Sequence, residues 1–487
     1  MRAALAGSAS ARQSTFADVV RRPTDPASEF AYAPLSAERR CDASFCVHWL
    51  KQGPHAPADA GDGSIEALLA ALGAARGELT ASGHGYHGVD DGAEGGDARL
   101  DVYVAELPGM HGFAVPEAVV SSAPLRMSSF LLIDKDLVQA QLAADARAVI
   151  AHELKHTYDV AAFAAAPAWL FESAATWFEQ QAEPESDGYA DFLPCWFLYP
   201  EISLDAPRAE SYPPMPKDHA GCTFDTTHLY GSSAFWFFTS GRFGAESSAD
   251  VWKSGAELCP STTLLDESEE QRACVAEAID AGLKARGSSL GDELGALALE
   301  AMDLRESPSL SAALLPTALE SWPEAAWAER PKTYPASRER KLPHLASRYF
   351  AFHARPVSSG ASRSSSSPRP GADVSLTTVQ IFSSSRQQSA LPKSGKASFP
   401  GLGRSLRERW GVAPNRARGA GGDATTLRYG ATFSDLGKAD APPASAAPEA
   451  SASESATASC QLGPRGTHTG GYAWIAAFVW LLSRRRR

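Results

Sequence analysis

"AHELKHTYDVAAFAAAPAWLFESAATWFEQ" (Ala151–Gln180) sets His152 and His156 four residues apart, puts Glu153 beside the first, and brings Glu172 in sixteen positions after the second. On a helix, residues four apart share a face with Cβ atoms about 5–6 Å apart, so both imidazoles can reach one cation. Glu153 then stands where a carboxylate can take the proton of a water as that water attacks a carbonyl. The HExxH pattern alone is only moderately specific, because two surface histidines beside an ordinary glutamate spell the same letters. Context separates the two readings. The preceding turn, "RAVIA" (Arg147–Ala151), is apolar enough to bury the helix, and burying three ionisable groups without a partner is costly.

A catalytic zinc takes three protein ligands and keeps one position open. Glu172 in "WLFESAATWFE" (Trp169–Glu179) is the expected third ligand, with Trp169, Ala175 and Trp177 reading as core contacts of its helix. Glu179, seven residues on, lies on much the same face, and spacing leaves both glutamates open. Thr176, one turn after Glu172, is either a hydrogen-bonding support for a ligand or a plain helix threonine. An oxyanion formed at such a site needs a donor. Tyr230 in "HLYGSSAF" (His228–Phe235), with His228 behind it, is the candidate, set against a packing tyrosine at a helix start.

Outward from this stretch, residues 137–158 read as one Ala- and Leu-rich helix, and Pro167 suits the start of a second over residues 168–181. Further helices are expected over residues 230–238 and 273–302. "CVHWL" (Cys46–Leu50), "ARLDVYVAEL" (Ala98–Leu107) and "SSFLLID" (Ser128–Asp134) read as strands, and "SIEALLAALGAARGEL" (Ser64–Leu79) has helical apolar spacing. The order strand, helix, strand predicts an α+β fold with helix on sheet. Residues 1–40 read as an irregular leader and 41–308 as the domain carrying the histidines. Residues 309–435 read as a small β-rich domain, with "SRYFAFHAR" and "ADVSLTTVQIF" as strands. Residues 436–459, "KADAPPASAAPEASASESATAS" and its surroundings, are a low-complexity linker unable to bury a core, and 460–487 are a terminal segment.

A chain of 487 residues with a net charge of −12 has room for two or three domains and argues against nucleic-acid binding, which needs clustered Lys and Arg. The one dense basic run is Arg484–Arg487. Of the seven cysteines, six form sequence-local couples, Cys41/Cys46, Cys195/Cys222 and Cys259/Cys274, suited to short disulfides in an oxidising compartment. None forms CxxC, against a thiolate metal site. The opening "MRAALAGSASARQS" has too short an apolar stretch for a signal peptide, so export is inferred from the cysteines and the C-terminus.

"HELKH" followed by "WLFESAATWFE" resembles the gluzincin metallopeptidases, and with "CVHWL", "ARLDVYVAEL", "SSFLLID", "ADFLPCWFLYPEISL" and "HLYGSSAFWFFTSGRFG" the chain is similar to the metalloprotease-like proteins of myxobacteria in that clan. The resemblance implies a gluzincin-like domain with a small sheet lobe and a helical lobe, a bound Zn2+ held by His152, His156 and Glu172, and Glu153 as general base acting on a peptide or protein substrate. It also implies that "SSFLLID" forms the substrate-binding edge. Ser173 stands where the family pattern prefers glycine. No GxMEN-like exopeptidase motif is found, which leans toward an endopeptidase. "CQLGPRGTHTGGYAWIAAFVWLLSRRRR" (Cys460–Arg487) resembles the MYXO-CTERM sorting tag, implying membrane association before processing and delivery to the cell surface, at the outer membrane, or secretion. The rival reading is a non-catalytic surface adhesin or binding protein that retains the fold.

Overall fold

The structure is a computed structural model that describes residues 21–85, 94–193, 196, 202–205 and 229–301, together with the backbone of six strands between residues 327 and 431. Residues 436–459 and the C-terminal segment 460–487, with its tag, lie outside the described residues, as do Cys195, Cys222 and His228.

Five strands make the sheet of the first region: β1 (Glu38–Cys41), β2 (Phe45–Trp49), β3 (Leu100–Ala105), β4 (Gly112–Ser122) and β5 (Leu125–Asp134). Their order is β1-β2-β3-β5-β4, with β2, β3 and β5 parallel to one another and β1 and β4 antiparallel at the two margins. Every residue of β3 is buried, as expected for a central parallel strand covered on both faces. The helix α1 (Asp62–Ala81) makes the crossover from β2 to β3.

"SSFLLID" is indeed a strand, but β5 lies inside the sheet between β3 and β4. The sheet margin beside the histidine helix belongs to β4, so the expectation that residues 128–134 form an edge is corrected. In β4, "GFAVPEAVVSS", Pro116 and two register shifts break the alternation that marks a strand in sequence.

The long helix α2 covers Ala144–Phe163, not residues 137–158. Residues 135–137 form a single 3-10 turn, and Val138 is extended and buried. The chain must reverse from β5 to lie back across the sheet, and this overrides the helical propensity of "LVQAQL". Fourteen of the residues of α2 are buried, His152, Glu153 and His156 among them. After Pro167, in extended conformation at the cap, α3 runs over Ala168–Ala182. Helices α4 (Ser233–Phe243), α5 (Glu246–Leu258), α6 (Glu269–Ala285) and α7 (Leu290–Glu300) complete the helical layer. The single helix expected over residues 273–302 is thus two, separated at Gly287, whose φ of 81° ends α6.

Two apolar cores result. One joins the inner sheet face (Val47, Val102, Leu131, Ile133) to α1, α2 and the helices beyond. The other lies on the outer face, where Phe30, Tyr32 and Leu50 cover Tyr103, Phe130 and Leu132. The end of the leader, from Arg21 onward, is thereby a strap packed on the sheet. Disulfides Cys41–Cys46 and Cys259–Cys274 match two of the three expected couples, consistent with an oxidising environment. Among the described residues no helix is long and apolar enough to cross a membrane. Farther along, β6 (Trp327–Glu329), β7 (Ala336–Leu342), β8 (Ser347–Phe352), β9 (Val379–Ile381), β10 (Arg409–Pro414) and β11 (Thr425–Ala431) form two three-stranded sheets, β10-β8-β6 and β7-β11-β9.

Candidate metal centre

α2 and α3 pack together in the helical layer and turn three side chains toward one point. His152 and His156 occupy successive turns of α2, their rings edge to face with centroids 4.7 Å apart. From α3, Glu172 Oε2 approaches to 3.4 Å from His152 Nε2 and 3.7 Å from His156 Nε2. All three ligand atoms lie within 4.8 Å of one another. Bonds of about 2.0–2.1 Å from one tetrahedral ion place neighbouring ligand atoms about 3.3–3.4 Å apart. The two separations from Glu172 are compatible with ligands sharing one cation, and longer than the roughly 2.7–3.2 Å of close hydrogen bonds. His152, His156 and Glu172 can together hold a metal ion.

Without an ion, the electrostatics favour the metal-binding forms of Glu172 and His156 and the charged form of His152. Burial pushes the carboxyl of Glu172 up, but the two imidazoles outweigh it and hold it down at about 2. Burial pushes His156 down to about 4 against the pull of Glu172. At neutral pH these two are a carboxylate and a neutral imidazole, the forms that bind metal. Burial also opposes the charged form of His152, yet Glu172 and Glu179 more than offset it and raise this histidine well above its ordinary value.

The two glutamates that spacing left open are separated here. Glu179 Oε1 lies 2.6 Å from His152 Nδ1, on the far side of the ring from Glu172. It fixes the imidazole so that Nε2 faces the cluster, the arrangement that orients metal-binding histidines. Glu172 completes the group that could hold an ion, and Glu179 stands behind its first histidine. Thr176 donates through Oγ1 to the Glu172 carbonyl at 2.8 Å, so it holds the helix backbone and not the carboxylate. Ser173 is fully buried and accepts a hydrogen bond from Trp236 Nε1 at 2.9 Å, which ties α3 to α4 at this position.

Glu153, 3% exposed, faces the start of β4. A Cβ built on Gly112 would stand 2.6 Å from Glu153 Cγ, so any larger residue there would force this side chain to shift. Tyr230 is brought to the same place: its ring centroid is 6.0 Å from that of His152, and it stacks on Phe192 at 4.7 Å. Burial, with the charges of Glu172 and Glu153, pushes its hydroxyl well above the ordinary range and keeps it protonated. Behind the cluster, the fully buried Lys155 pairs with Asp159 on α2 and lies 4.7 Å from the ring of Trp252. Gly112 and the role of Glu179 are the features that sequence reading missed. For Gly112 the only signal was "PGMHG" between two strands.

Searches against known proteins return no matching family model and no matching curated protein.

Proposed function

We propose that the protein is an exported zinc-dependent peptidase of gluzincin type. The observation that carries this reading is the convergence of His152, His156 and Glu172, whose ligand atoms lie within 4.8 Å of one another, with Glu179 orienting one histidine and Glu153 alongside. Two imidazoles and a carboxylate are a donor set suited to zinc with a position left for substrate or water. When bound, zinc supplies Lewis acidity toward a carbonyl and brings the pKa of a water toward about 7.

The chain's own residues would do the rest. Glu153 takes the proton from the attacking water as the new C–O bond forms, and returns it to the leaving amine as the peptide C–N bond then breaks. Tyr230, kept protonated, donates to the carbonyl oxygen as negative charge gathers there. β4 is the wall along which an extended substrate lies, because it is the strand that meets Glu153. The two disulfides support a place outside the cytoplasm, and the resemblance of the C-terminal segment to a sorting tag supports delivery to the cell surface or secretion.

The deciding test is Glu153→Gln. Peptide cleavage should fall by about 10²–10⁴-fold while bound zinc, measured by elemental analysis, stays at one per chain. An active Glu153→Gln protein overturns the mechanism. Native protein that binds zinc and cleaves no peptide in a diverse library points instead to a binding protein on the same scaffold.

A further inference from the structure

On the face of the sheet away from the helices, Arg22 enters a buried site that no apolar core requires. Its guanidinium forks onto Glu117 of β4, Nε to Oε1 at 2.6 Å and Nη2 to Oε2 at 2.5 Å. Nη1 reaches Asp101 of β3 and also the Tyr103 hydroxyl, at 3.2 Å. Between those strands lies β5, and the guanidinium carbon sits 5.3 Å from the ring centroid of its Phe130. Asp101 continues the chain to β2, its Oδ1 lying 2.7 Å from His48 Nε2. One arginine thus ties β3 to β4 across the strand that separates them.

The tie falls where β4 is weakest. Pro116 gives β4 no amide donor, and the register with β5 shifts between Pro116 and Val119, so the ladder lapses around Glu117. Four residues from Pro116, at Gly112, the same strand passes so near Glu153 that a Cβ there would stand 2.6 Å from its Cγ. Gly95, at φ 70°, closes over the clamp, since a Cβ there would lie 1.5 Å from Asp101 Oδ2 and 2.6 Å from Arg22 Nη1. Bidentate pairing of this kind fixes direction as well as distance, which a lysine cannot reproduce.

We propose that Arg22 is a positioning residue: by clamping Glu117 to Asp101 it sets where β4 lies against Glu153, and so makes the strap that precedes the sheet a working part of the candidate site. Only the cleavage arm of the test below rests on the peptidase reading.

The test compares native full-length protein with Glu117→Gln and Arg22→Lys by amide hydrogen exchange and zinc titration. In both variants the amides of β4 should exchange about tenfold faster or more while those of α2 keep their protection, since a local opening need not involve the core. Zinc affinity should stay within about twofold of native, because neither residue is near enough to orient a ligand. Unchanged β4 exchange overturns the proposal, and so does acceleration of β4 and α2 together, which is the mark of a merely structural role. Glu117→Gln keeps the side chain's shape and half its hydrogen bonding, so the test survives if Arg22→Lys does not fold. If native protein cleaves peptides, the variants should raise KM more than they lower kcat; if it cleaves none, the peptidase reading fails and the exchange result still stands.

Discussion

The sheet carries a buried polar cluster on each side, and the two are built differently. On the outer face, Arg22 places one guanidinium between the carboxylates of Asp101 and Glu117, with separations of hydrogen bonds throughout. On the inner side, three glutamates surround two histidines, and the central contacts are 3.4 and 3.7 Å. The first cluster closes on itself. The second brings two imidazoles and a carboxylate to within 4.8 Å of one another, so that it could hold a cation. Burial alone therefore does not mark a candidate binding site; what marks it is a set of buried ligand-type groups that converge on one point.

The comparison is broken most severely on its self-contained side. Arg22→Ala leaves the buried Asp101 and the partly buried Glu117 without the guanidinium they share, and should lower stability to urea by about 3 kcal/mol, the low end for a broken buried pair, while the zinc affinity of the folded protein is little changed. The inner cluster should behave the other way. Glu172→Gln removes a ligand, and by equilibrium dialysis zinc affinity should drop by more than about a hundredfold, beyond what loss of an orienting residue produces. Glu179→Gln removes only the orientation of His152 and should cost about 10–100-fold in the same measurement. If Glu179→Gln proved the more damaging of the two, the roles assigned to the two glutamates would be reversed.

The smallest effect is in the dependence on pH. Burial pushes Asp159 from an ordinary 3.8 up to about 7, against the pull of Lys155. A carboxyl whose folded pKa is raised favours the fold in its protonated form, so its contribution is complete below about 4 and is lost as pH rises to about 7. The unfolding free energy of native protein minus that of Asp159→Asn should therefore fall across this window. A rising difference would show that Lys155 holds Asp159 ionised in the fold.

Much of the inner cluster was legible because helical periodicity is local. The spacing of His152, Glu153 and His156 fixes their shared face, and a second aromatic helix soon after can supply only a few acids. Choosing between Glu172 and Glu179 was not local: seven residues return a side chain to almost the same direction, and the two are told apart only by where His152 stands between them. The outer cluster was less legible still. Arg22, Asp101 and Glu117 come from three distant segments, and nothing near Arg22 in sequence distinguishes it from Arg21, whose partner Asp25 is an exposed neighbour. The start of α2 was misplaced because a chain reversal, which propensity cannot see, decides it. β4 was missed and β5 taken for the margin for a related reason: a proline and two bulges make a marginal strand look like a loop.

Those same irregularities bear on how the protein behaves in concentrated solution. A straight outer strand eleven residues long would be a template on which a second molecule could add its own strand and begin a fibril. Pro116 and the paired bulges spoil that template over the distal part of β4, where Val119 and Val120 are exposed. Replacing Pro116 to regularise the strand would thus invite precipitation at the margin the native sequence keeps uneven.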